Sequence, residues 1–196
     1  MLTGIEIDAL DVPTLEAFWS EATRGLTGGL QVRFVQTTAA KQGKNRLHFD
    51  LAGGPNWEAE VERLLALGAK PADIGQGDVP WDVLADPEGN EFCVLRPGHL
   101  GLRTDIGLGA ICLDVAAEHL AAQSAFWQAR AVWSDVEHSP WGERLRRSSA
   151  SPVSLVLGPP AAPKAGRNRL RLVVTDPTWE SGEFLDPGGN EFRVLA

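Results

Sequence analysis

Two stretches of this chain repeat a turn that forces a reversal and a strand after it. Leu84 to Leu95 read LADPEGNEFCVL, and Phe184 to Leu195 read FLDPGGNEFRVL. In both, Asp-Pro-x-Gly-Asn makes a tight turn: proline fixes φ at its entry, glycine permits positive φ, and asparagine tolerates it. The residues that follow alternate across a strand. Glu91, Cys93 and Leu95 share one face against Phe92 and Val94, as Glu191, Arg193 and Leu195 do against Phe192 and Val194. The copies lie 100 residues apart in a chain of 196, which points to an internal duplication.

The intervening sequence reads as short strands and helices. Residues 4–10 (GIEIDAL) alternate as a strand, and Val12-Pro13-Thr14 opens a helix through Thr23 with an apolar stripe of Leu15, Phe18, Trp19 and Ala22. Gly25 to Gly29 breaks the chain before the strand LQVRFVQT. Residues 46–51 form a strand, Asn56 is placed to cap a helix over 57–67 that stops at Gly68, and 71–80 is irregular before strands 81–85 and 91–95. Arg96 to Asp105, rich in turn residues, is the natural linker. Beyond it come strand 109–114, a helix over 117–129 with Phe126-Trp127, strands near 143–148 and 153–157, a loop over 158–166 and strand 168–174. Thr175 to Gly182 is too short for a helix like that of 57–67.

Composition narrows the classes. A net charge of −8 with no basic stripe favours solubility and excludes nucleic acid and anionic membranes as expected partners. No apolar run approaches the length of a membrane span, and the first residues lack the apolar core of a signal peptide. Cys93 and Cys112 are the only cysteines and are far from a C-x-x-C spacing, so reduced thiols and a cytoplasmic location are expected. Seven Trp and no Tyr supply large apolar faces with a single donor each, suited to a core or to a ligand pocket. The glycine clusters fit no phosphate-loop or dinucleotide pattern, and Ser148, Ser149, Ser151 and Ser154 have no defensible His and Asp partners.

The closing turn and strand resemble those of the glyoxalase/bleomycin-resistance/dioxygenase superfamily, the vicinal oxygen chelate proteins. IDALDVPTLEAFW (Ile7 to Trp19), NRLHFDL (Asn45 to Leu51) and VERLLALGA (Val61 to Ala69) resemble further elements of its glyoxalase-like branch. In the second half the resemblance is limited to ICLDV, AFWQA, RNRLRL and the turn. It implies an α+β fold of paired βαβββ modules. Two tandem glyoxalase-like domains, 1–97 and 105–196, would then form an intrachain pseudo-dimer, as a monomer or a further homodimer. The first module has lost part of its last hairpin, and the fourth has lost its helix.

The same resemblance locates the chemistry. Metal-dependent members take ligands from the first and last strands of each module, usually His and Glu. At those positions stand His48 and Cys93 in the first half, and Arg171 and Arg193 in the second. The first-module strands offer Gly4, Glu6 and Asp8, and Ile111, Cys112 and Leu113. A guanidinium cannot coordinate a metal, so none is expected in the second half; were an ion bound in the first, His48 is the leading ligand. His48 and Cys93 also fit a hydrogen-bonded pocket histidine and a small buried hydrophobe. Arg171 and Arg193 suit a carboxylate or phosphate if they converge, or surface pairs with Glu191 or Glu183 if they do not. Trp133 and Trp141 suit stacking on a planar ligand, or packing of the two halves.

The resulting expectation is a metal-independent small-molecule binder of the bleomycin-resistance kind, holding an aromatic or anionic metabolite in a cleft that includes His48, Cys93, Glu6, Arg171, Arg193, Trp133 and Trp141. The alternatives are an enzyme, either a lyase, isomerase or dioxygenase using a divalent metal ion or a metal-free catalyst, and a degenerate scaffold.

Overall fold

The computed structural model describes residues 1–158, 163–164 and 166–196, so part of the 158–166 loop lies outside the described residues. In chain order the elements are β1 (Leu2–Ala9), α1 (Val12–Thr23), β2 (Gln31–Gln36), β3 (Leu47–Ala52), α2 (Trp57–Ala66), β4 (Lys70–Pro71), β5 (Trp81–Ala85), β6 (Glu91–Leu95) and β7 (Leu108–Asp114). After a turn of 3-10 helix at Ala117–His119 come α3 (Leu120–Ala131), β8 (Asp135–Ser139), β9 (Gly142–Arg146), β10 (Ser154–Gly158), β11 (Leu170–Thr175), β12 (Gly182–Leu185) and β13 (Glu191–Leu195). The long elements stand where periodicity places them. β4, β8 and β12 are additions. All three are edge strands held by one neighbour, so none needs the alternating apolar pattern that marks a half-buried strand.

Two sheets result, with strand orders β12-β13-β11-β1-β2 and β4-β5-β6-β3-β7-β10-β9-β8. The larger contains two complete βαβββ modules, β3 to β6 with α2 and β7 to β10 with α3. They join antiparallel through β3 and β7, where His48 faces Cys112 and Phe49 faces Ile111. The smaller joins two shortened modules through β1 and β11, where Glu6 faces Arg171. In the first shortened module β2 runs parallel beside β1, the place that β6 holds beside β3. The two strands between are the ones missing. The last module has β11, β12 and β13 and no helix. Each sheet thus takes one module from each half of the chain.

The repeated turns are fixed by the helices above them. The carboxylate of Asp86 accepts from the backbone N–H groups of Glu88 and Asn90 at 2.9 Å and from the Trp19 indole at 3.0 Å. Asp186 accepts from Gly188 at 2.9 Å, Asn190 at 2.8 Å and the Trp127 indole at 3.3 Å. Phe-Trp at the end of each helix therefore serves both core and turn. Trp19 packs edge-on against Phe49 and Phe92 (4.9 and 5.2 Å between centroids), and Trp127 against Phe192 (5.4 Å). Such pairs contribute about 0.5–1.5 kcal/mol each beyond area burial.

A second repeat supports the strands that follow it. KQGKNRL (Lys41 to Leu47) and KAGRNRL (Lys164 to Leu170) precede β3 and β11. Lys41 pairs with Glu91 and Lys164 with Glu191, each at 2.7 Å. Asn45 donates to Asn90 at 3.0 Å and Asn168 to Asn190 at 3.1 Å. The next residue of each repeat crosses to the other half. Arg46 donates to the Gly188 carbonyl at 3.2 Å, and Arg169 reaches Glu88 and the Ala39 carbonyl.

Candidate ligand-binding site

Strand β3 reads His-Phe-Asp-Leu, so period 2 sends Phe49 and Leu51 into the core and His48 and Asp50 to the opposite face. The flanking strands complete that face. Cys112 on β7 stands opposite His48, and Cys93 on β6 opposite Asp50. These four residues line one end of a cavity of 340 Å³. The rest of its wall comes from β7 and β10, from Trp81 and Trp141, and from His99 to Leu102 of the segment joining the halves.

The polar end is compact. Ligand atoms of His48, Asp50 and Cys112 all lie within 4.8 Å of one another. The Cys112 thiol donates to Asp50 Oδ2 at 3.0 Å, and His48 Nε2 is 3.4 Å from Asp50 Oδ1. Among the described residues, His48 Nδ1, Asp50 Oδ1 and His99 Nδ1 are buried without a hydrogen-bond partner, and all three residues line this cavity. Burial pushes the Asp50 carboxyl up, but the nearby His48 imidazole and the thiol contacts outweigh it and hold the group below its usual range. Burial, reinforced by the Asp50 charge, pushes both thiols well above the ordinary value, so Cys93 and Cys112 are protonated and unreactive at neutral pH. Burial also lowers the pKa of His99, whose ring stands edge-on to Trp81 at 6.0 Å.

The cations nearby are already engaged. Lys44 pairs with Asp114. Arg144 pairs with Glu137 at 2.8 Å, donates to the Leu100 carbonyl at 3.1 Å, and lies 4.9 Å over the Trp141 ring. Arg146 donates to the Gly101 carbonyl at 2.9 Å. These two arginines pin the joining segment along the cavity as a strap. Gly101 adopts φ +93°, and a Cβ there would overlap the Arg144 guanidinium.

The residues singled out from sequence divide among three places. His48, Cys93 and Trp141 line this cavity. Glu6, Arg171 and Arg193 line an open hollow on the five-stranded sheet, together with Asp8 and Arg167. There Arg171 is 1 % exposed and is held by Asp8 at 2.6 Å, by Glu183 at 3.6 Å and by Glu6 at 3.7 Å. Arg167 pairs with Asp8 at 3.0 Å and also reaches Glu183. Glu191 is taken by Lys164, and Arg193 makes no ion pair among the described residues. Trp133 is buried in the core and lines a small cleft of its own instead of either set. Sequence reasoning missed Asp50, Trp81 and His99, and met Cys112 only as a strand position. The two-residue offset of Asp50 from His48 was the available signal; nothing local marks His99.

A family model for the glyoxalase-like domain matches residues 4–95. The fold extends the likeness to both halves. Glyoxalase I from Zea mays superposes with a TM-score of 0.61 at 10% identity, over 98% of this chain and 91% of its own. A putative dioxygenase from Bacillus subtilis subsp. subtilis str. 168 superposes with a TM-score of 0.55 at 14% identity, over 98% and 84%. Residues 4–95 thus match the glyoxalase-like domain family, and the chain as a whole shares the fold of these glyoxalase and dioxygenase structures. No curated protein matches it in sequence.

Within the superfamily's frame of first and last strands, the pairing registers give each sheet four equivalent positions. On the eight-stranded sheet they hold His48, Cys93, Cys112 and Gly158; on the five-stranded sheet, Arg171, Arg193, Glu6 and Val35. The second set does not fit a metal ion, because two of its members are guanidiniums. The first set with Asp50 does fit one: imidazole, thiol and carboxylate are donors that zinc accepts, and two of their buried polar atoms lack partners.

Proposed function

We propose that this protein binds a planar small molecule in the cavity of its eight-stranded sheet, in the manner of the superfamily's ligand-binding members. One observation carries this reading: a 340 Å³ cavity, apolar over most of its wall and bounded by Trp81 and Trp141, ends in buried polar atoms that lack partners. Apolar enclosure with a few convergent polar groups is what a small-molecule site requires, and unpaired buried acceptors are costly unless a ligand or water meets them. His48, held beside Asp50, is placed to accept a proton from the ligand or return one. The reading needs no metal.

Titration of intrinsic Trp fluorescence with a panel of planar aromatic fragments tests it. Saturable quenching by at least one member is expected, weakened tenfold or more by His48→Ala. Binding that survives His48→Ala unchanged would place the working site elsewhere.

The donor set favours a second reading. His48, Asp50 and Cys112, with Cys93 beside them, would hold a zinc-like ion, which would supply Lewis-acid polarisation of a substrate oxygen. Elemental mass spectrometry on protein purified without chelator decides between the two. About one equivalent of metal per chain, lost in Asp50→Ala, supports the metal reading; no metal after add-back retires it.

A further inference from the structure

The polar end of the cavity restricts the charge of its ligand. Asp50 Oδ1 is a carboxylate oxygen, an acceptor with nothing to donate, and it is buried and unpartnered. Among the described residues, the cations beside the cavity already have partners. Lys44 is held by Asp114, and Arg144 is spanned by Glu137, the Leu100 carbonyl and the Trp141 ring. His48 Nε2 lies 3.4 Å from Asp50 Oδ1 without hydrogen-bond geometry, which leaves that oxygen open to a donor from the cavity. His99 approaches from the strap with Nδ1 unpartnered, and an imidazole nitrogen can accept as well as donate. Trp81 adds an aromatic ring to the wall, and aromatic faces attract cations and repel anions.

We propose that the ligand is a planar aromatic molecule whose polar end donates hydrogen bonds and carries no negative charge, an amidine- or amine-type group seated on Asp50. The assignment rests on the reading of this cavity as the binding site and adds the ligand's chemistry to it. It runs opposite to the anion expected from Arg171 and Arg193, which the fold places on the other sheet, where Arg171 is already held by carboxylates.

Three probes of one ring size separate the possibilities: benzamidine, benzamide and benzoate, titrated into the intact chain by Trp fluorescence and by ligand-observed NMR. The order benzamidine, then benzamide, then benzoate is expected, with the cation at least tenfold tighter than the anion. Asp50→Asn, which keeps shape and one acceptor oxygen, should erase that preference by weakening benzamidine at least tenfold. Equal or tighter binding of benzoate, or a cation preference that persists in Asp50→Asn, overturns the assignment but leaves the cavity as a binding site. Failure of all three probes at millimolar concentration overturns both. Circular dichroism of the Asp50→Asn variant confirms that lost binding is not lost folding.

Discussion

At the scale of single residues, three of the buried carboxylates divide two tasks. Asp86 and Asp186 close the two repeated turns, and Asp50 faces the cavity. Asp86→Ala leaves two backbone N–H groups and the Trp19 indole unsatisfied, and each such group costs about 1–3 kcal/mol. A loss of roughly 3 kcal/mol is therefore expected in urea denaturation, and Asp186→Ala should lose a similar amount. Little or no loss in either variant would show that the turns hold without their carboxylate. The thiols give a pH dependence. Cys93 and Cys112 have folded pKa values raised well above those of the unfolded chain, so the folded state keeps protons that the unfolded state releases. Stability should then be fully present below the unfolded thiol pKa of about 8.5 and fall above it, by up to about 1.4 kcal/mol per pH unit for each thiol. The double variant Cys93→Ala, Cys112→Ala should show a flatter profile between pH 8 and 10. Residue identity was legible in part. The sequence places His48 and Cys93 on inward strand faces, but the meeting of Asp50 with Cys112 depends on the register between β3 and β7, which local pattern does not encode.

At the scale of elements, the strap between the halves forms part of the cavity wall. Its position depends on Arg144 and Arg146 donating to the carbonyls of Leu100 and Gly101, with Glu137 between the two guanidiniums. Gly101→Val adds a side chain where the Arg144 guanidinium lies and asks a β-branched residue to adopt φ +93°. The strap should lift, trypsin should cut after Arg103 severalfold faster, and the sheet should survive with near-native circular dichroism. An unchanged cleavage rate would mean that the strap is not held by these contacts. The composition of 96–105 reads as a linker, and its role in the cavity wall is invisible because no periodic pattern links a loop to the strand it lies on. The polar strand β8 was illegible for a related reason: an edge strand on the rim of a sheet has little apolar surface to bury. The helices and the strands 81–85, 91–95 and 109–114 were legible because each buries one face of a regular period.

At the scale of the whole molecule, the division of labour follows from which modules stayed complete. Two full modules, one from each half, build the sheet that encloses the cavity, and two shortened ones build a sheet on which Arg171 is held by Asp8, Glu6 and Glu183. The duplication and the uneven losses are written in the sequence; the exchange of partners between halves is not, because β1 pairs with β11 across more than 160 residues. Expressed alone, residues 1–97 leave β1 and β3 without their antiparallel partners, so a soluble folded monomer is not expected, whereas coexpression with 105–196 should restore a 1:1 complex by size-exclusion chromatography. A folded monomer of either half would refute that dependence. The central claim is that the cavity of the eight-stranded sheet is the working site. The seven Trp indole N–H signals in a nitrogen-15 correlation spectrum, assigned by single Trp→Phe substitutions and followed during titration with benzamidine, test it most directly. The signals of Trp81 and Trp141 should move together and saturate, while those of Trp19, Trp127 and Trp133 stay fixed. Movement confined to any other tryptophan, with Trp81 and Trp141 unmoved, would contradict the account.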